Sequence, residues 1–95
     1  MSLCLVRIEL LNVKPGHVYP ALHAAMAAKG FHPTHTTVGV EFKLPPGTYL
    51  GDASSPAAAR DIAAAVAQAL NHRSEIIAVQ CDGKVEVHGL GQSSP

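Results

Sequence analysis

The sequence predicts an α+β fold, with two helices packed on one face of an antiparallel sheet. Short stretches such as "LCLVRIELL" and "TVGVEFKL" alternate apolar and polar residues, the period of a half-buried strand. Two alanine-rich stretches, 18–29 and 56–71, carry apolar residues at helical spacing. Between them, "NVKPGH", "LPPGT", "DASSP" and "QCDGK" supply turn chemistry.

The first strand is "LCLVRIELL" (3–11). Cys4, Val6, Ile8 and Leu10 make an apolar face, and Leu3, Leu5, Arg7, Glu9 and Leu11 a mixed one. A helix follows over roughly 18–29. Pro20 is tolerated in its first turn, and Tyr19, Leu22 and Met26 form one stripe. Gly30 is placed to close it in a left-handed conformation. A strand over 37–44 points Val38, Val40, Phe42 and Leu44 inward and Thr37, Gly39, Glu41 and Lys43 outward. "LPPGT" reads as a type II turn, Pro46 presetting φ and Gly47 taking positive φ. A short strand returns over 48–51. Ser55 is an N-cap and Pro56 an N1 residue for helix 56–71, whose stripe is Ile62, Val66, Ala69 and Leu70. "EIIAVQ" is the next strand. A three-residue loop at Cys81, Asp82 and Gly83 turns it into a hairpin return, "KVEVH", with Ile77, Val79, Val85 and Val87 on one face.

The order βαββαβ is that of a ferredoxin-like split unit. Its first and last main strands are antiparallel neighbours, which brings Cys4 and Cys81 to one end of the sheet as packing thiols. One domain over 1–90 is expected, with a flexible tail over 91–95. With 4% aromatic residues against 47% hydrophobic overall, the core is built of small side chains. The N-terminal apolar run is interrupted by Arg7 and Glu9, no stretch is long enough to span a bilayer, and two cysteines make no disulfide framework. These features point to a cytoplasmic protein without membrane association.

Two helices cover one sheet face. The other carries Leu3, Leu5, Arg7, Glu9, Leu11, Glu41, Lys43, Ile76 and Ala78, too apolar for full solvation and too charged for a core. One use is a homodimer interface through Leu3, Leu5, Arg7 and Glu9, with Arg7 and Glu9 pairing across a two-fold axis. The other is a single-stranded nucleic acid. That face offers no aromatic stacking platform, and seven basic residues are balanced by seven acidic ones, so phosphate binding needs a local patch.

His32 and His35 sit three apart in a loop entering a strand, and His23 lies at the edge of the first helix's buried stripe. RNA carries its own nucleophile, the 2′-OH, so two groups titrating near neutrality suffice for cleavage; His32 and His35 are the candidate pair. Arg7, Lys43 and His23 are candidate RNA contacts. No CxxC or HExxH pattern accompanies the histidines, so no metal or other cofactor is expected. No GxGxxG, Walker A or GxSxG motif is present.

"VRIELLN", "LHAAMAAKGF", "FKLPPGTY" and "IIAVQ" before a polar turn give the chain, over about residues 3 to 90, a resemblance to the GhoS-like small proteins. GhoS is the antitoxin endoribonuclease of a type V toxin–antitoxin system, related in fold to the small CRISPR-associated adaptation nucleases. The resemblance implies a ferredoxin-like fold and metal-independent cleavage of RNA. The CRISPR relatives carry a metal-binding aspartate at the end of the first strand; Asn12 stands here, which argues against two-metal chemistry. Two readings follow: a GhoS-like RNA-binding protein or endoribonuclease, and a non-catalytic module that homodimerises or docks a protein through its open sheet face.

Overall fold

A computed structural model describes residues 1–11, 19–37, 39–81, 85–86 and 88–91. Among them are five strands and two helices: β1 (Ser2–Leu10), α1 (Tyr19–Ala28), β2 (Thr34–Thr37), β3 (Val40–Lys43), β4 (Thr48–Ala53), α2 (Pro56–Ala69) and β5 (Ser74–Gln80). β4, β1 and β5 form an antiparallel sheet in that order, so the first and last strands are neighbours. The alternation in β1 is expressed as expected. Cys4, Val6, Ile8 and Leu10 are buried, while Arg7 and Glu9 are exposed.

The core side is closed by α1 and α2. Leu22 and Met26 of α1 are fully buried. α1 ends in a Schellman motif, with Phe31 N–H on the Met26 carbonyl at 2.9 Å and Gly30 N–H on Ala27 at 2.9 Å. Gly30 takes φ +85°, which a Cβ would strain. α2 begins at Ser55, whose hydroxyl accepts the Ala58 N–H at 3.1 Å. It ends in the same motif through Asn71 at φ 61°, with His72 N–H on the Ala67 carbonyl. Its buried face is Ala59, Ala63, Val66 and Ala67, whereas Ile62 and Leu70 are half-buried and Ala69 is exposed. The expected stripe was therefore rotated: alanines, not the larger residues, let α2 lie close on the sheet.

The anticipated strand over 37–44 is not one strand. The chain turns at Gly39, φ +77°, and β2 and β3 pair with each other, His35 opposite Phe42 and Thr34 opposite Lys43. This hairpin joins the larger sheet through a bridge in which His32 and Leu50 exchange backbone bonds of 2.9 and 3.0 Å. Glu41 and Lys43 thus leave the open sheet face to which the alternation assigned them. Gly39 explains the break, since it supplies positive φ within the apolar alternation.

"LPPGT" forms the turn its residues specify. Thr48 N–H reaches the Pro45 carbonyl at 3.0 Å and Gly47 has φ +80°. The hairpin return after β5 is not found: residues 85–86 and 88–91 form no strand, while the turn at 82–84 and Val87 lie outside the described residues. So do Asn12, Val38 and 92–95 of the expected tail.

β5 also faces the other way from expectation. Arg7 pairs with Ile77 and Leu5 with Val79, and directly opposed residues share a face. Ile77 and Val79 therefore lie on the open side, while Ile76 and Ala78 pack on the core. Both parities of "EIIAVQ" are apolar, so alternation alone did not choose between them.

Candidate functional site on the open sheet face

Cross-strand register lays the open face out in rows. Asp52 and Leu3 form one, Leu50, Leu5 and Val79 the next, then Thr48, Arg7 and Ile77, then Glu9 and Glu75. The two halves of this face differ. On the β4 side, Leu50 and Thr48 are only 6% and 7% exposed. On the β5 side, Ile77 is 66% and Val79 46% exposed.

The chain itself covers part of the β4 side. Val85, Glu86, His88 and Leu90 form one wall of a cleft of about 250 Å³, and Leu5, Leu44, Pro45 and Thr48 form the other. Lys43 N–H donates to the Gly91 carbonyl at 2.8 Å, tying down the end of this segment. Of the four residues that the sequence assigns to an interface, Leu3 and Leu5 are half-buried, and Arg7 and Glu9 are exposed.

Arg7 sits at the centre of the open face. Its Nη1 donates to the Pro46 carbonyl at 2.7 Å, so the turn holds the guanidinium in place. Glu9 stands opposite Glu75, and among the described residues no salt bridge engages either carboxylate. Like charges in directly opposed positions repel, so this corner of the face favours a cation.

The histidines do not form one cluster. His32 aligns with Leu50 at the edge of the open face and is exposed; His35 aligns with Phe42 inside the hairpin and is half-buried. A bend at Pro33 separates the two. Lys43 is exposed on β3. His23 is on the other side of the molecule, facing the core. Its Nδ1 lies 2.7 Å from the Tyr49 hydroxyl, with the rings edge to face at 5.5 Å, and Tyr19 flanks it at 6.4 Å. Burial lowers the His23 pKa, leaving a neutral ring able to accept. Burial first, and then the Tyr19 phenol, push the Tyr49 hydroxyl far above the tyrosine range, so it remains a donor. The pair satisfies a buried hydroxyl.

Cys81 N–H bonds to the Leu3 carbonyl at 2.9 Å, so both cysteines lie at one end of the sheet. Both are free, and burial, then Cys81 and Asp52, raise the Cys4 pKa. Among the described residues, no group of three or more His, Cys, Asp or Glu side chains is placed to hold a metal, and no helix is long and apolar enough to cross a membrane.

Sequence reasoning missed two features. Tyr49 belonged to a strand recognised only from its turn, and its hydroxyl partner is 26 residues away. Ile77 and Val79 were visible as strand residues, but their face needed the register with β1. Comparison with protein-family models, with curated proteins and with solved structures finds no match to this chain.

Proposed function

We propose that this chain is a non-catalytic interaction module that self-associates or docks a protein through the β5 half of its open sheet face. The observation that carries this is the exposure of Ile77 and Val79 beside Arg7 and the Glu9–Glu75 pair. Exposed apolar side chains ringed by charge are what a protein interface offers before it closes. The order β4-β1-β5, with one bridge from His32 to Leu50, supports reading the fold as ferredoxin-like. Two free thiols, one of them buried, favour a cytoplasmic setting. Sedimentation across a wide concentration range tests the proposal. The wild type gains mass as concentration rises, and Ile77→Asp stays monomeric. A wild type that remains monomeric up to millimolar concentration, and whose Ile77 and Val79 bind no protein, refutes it.

A second reading has its own observation. Arg7 and His32 share the open face, where an RNA phosphate would meet a fixed guanidinium. In this GhoS-like reading the face binds single-stranded RNA, and a histidine near it serves the 2′-OH. Arg7→Ala weakens RNA binding at low salt at least tenfold in this case, measured by fluorescence polarisation. Absence of binding to single-stranded and hairpin RNA eliminates it.

A further inference from the structure

Among the described residues β5 is the last strand of its sheet, and the outer edge at Ser74, Ile76 and Ala78 can accept another strand. The bonds that end its ladder with β1 are Leu11 N–H to the Arg73 carbonyl and Cys81 N–H to the Leu3 carbonyl, both 2.9 Å. In an antiparallel pair the bonded residues alternate. Glu75, Ile77 and Val79 therefore spend their backbone groups on β1, while Ser74, Ile76 and Ala78 point theirs outward. The segment that the sequence assigns to this edge lies elsewhere: Val85 and Glu86 line the cleft against Leu5 and Thr48. Soluble proteins usually guard such an edge with proline, lysine or a bulge. "SEIIAVQ" has neither proline nor lysine, and its register with β1 is unbroken from Cys4–Gln80 to Leu10–Ser74.

We infer that the occupant of this edge is β5 of a second copy, paired antiparallel about a two-fold axis at Ile77. The inference rests on reading the β5 side as the contact surface, and it names the partner and the mode of contact. The sequence of the strand is self-complementary about that axis. Ile76 meets Ala78 of the second copy in a bonded pair, large against small, on the side that α2 covers. On the open side Ile77 meets its own equivalent, which covers the most exposed aliphatic side chain of the described strands. Glu75 meets Val79, so the two Glu75 carboxylates lie at opposite ends of the contact; parallel pairing would set them side by side. The closed contact is isologous and joins two three-stranded sheets into one of six strands.

Ala78→Pro is the discriminating variant. The Ala78 N–H points outward, so proline there removes an edge donor and leaves the β1 ladder whole. The expected result is a dimer dissociation constant raised at least tenfold in sedimentation, with an unchanged urea midpoint at dilute concentration. Should that variant unfold, hydrogen exchange on the wild type decides: the Ile76 and Ala78 amides gain protection as concentration rises if the edge pairs, and gain none if it does not. Glu9→Lys separates the edge from face-to-face stacking. A dimer that survives Ala78→Pro and is lost in Glu9→Lys overturns edge pairing while upholding the open face as the contact surface. A monomer at all concentrations overturns edge pairing, and with it self-association through the face.

Discussion

The two faces of one sheet are finished differently. On the core side, Cys4, Val6, Ile8, Tyr49 and Ala53 are closed over by two helices, α1 through Leu22 and Met26 and α2 mostly through alanines, and the buried tyrosine hydroxyl has its partner. On the open side, Val85, Glu86, His88 and Leu90 lie against Thr48 and Leu5, while Ile77 and Val79 are exposed. The same strands supply both faces, so strand propensity does not explain the difference. It follows from what lies above each row: the alanines of α2 permit close helix approach on one side, and on the other Val85, Glu86, His88 and Leu90 lie against the β4 half.

The sharpest way to break this comparison is to make one truncation on each face. Ile8→Ala empties a fully buried site and should cost about 2–5 kcal/mol. Ile77→Ala, made on a dilute monomer, should change stability by no more than about 0.5 kcal/mol. Urea unfolding measures both. If Ile77→Ala proves as costly as Ile8→Ala, the open face is covered in the monomer and the interaction reading fails.

A smaller effect probes how closely the core side is closed. A Cβ on Gly51 would stand 2.7 Å from the Phe31 ring and against the Gly30 carbonyl. Gly51→Ala should therefore destabilise by about 1–3 kcal/mol through overpacking, although strand propensity alone favours alanine. A neutral or stabilising substitution in the same unfolding assay would mean that Phe31 has room to move.

How much of this was legible depended on whether one reading of each stretch was available. β1 has a single consistent alternation, the Pro46–Gly47 turn a single chemistry, and Ser55–Pro56 a single role, and each formed as written. "EIIAVQ" is apolar in both parities, so only pairing with Arg7 and Leu5 decided which residues reach solvent. Residues 37–44 alternate convincingly, yet Gly39 makes a turn available that competes with the alternation. The surroundings of the two loop histidines needed the pairing to be read, His32 bridging to Leu50 and His35 pairing with Phe42. His23, read as a boundary residue, found its partner through a contact that no local pattern announces.

A next step down in size concerns that contact. Tyr49→Phe removes the hydroxyl that bonds to His23 and leaves the half-buried Nδ1 without its donor. The expected loss is about 1 kcal/mol at neutral pH, the usual net value of such a bond. A double-mutant cycle with His23→Gln isolates the pairwise part, and a coupling of zero would show that ring packing, not the hydrogen bond, joins the two.

The smallest effect is the pH dependence that the same pair imposes on the core side. Burial lowers the His23 pKa in the folded protein, and the groups packed on it are the phenol rings of Tyr19 and Tyr49. The unfolded chain therefore binds a proton at His23 more readily than the folded chain does. Stability must then rise with pH between the lowered folded pKa and the ordinary histidine value near 6.5; it is complete above that value and falls as pH drops through the window. Urea midpoints measured from neutral to mildly acidic pH should show this slope in the wild type and a shallower one in His23→Gln. If His23→Gln leaves the slope as steep as in the wild type, burial of His23 is not its cause.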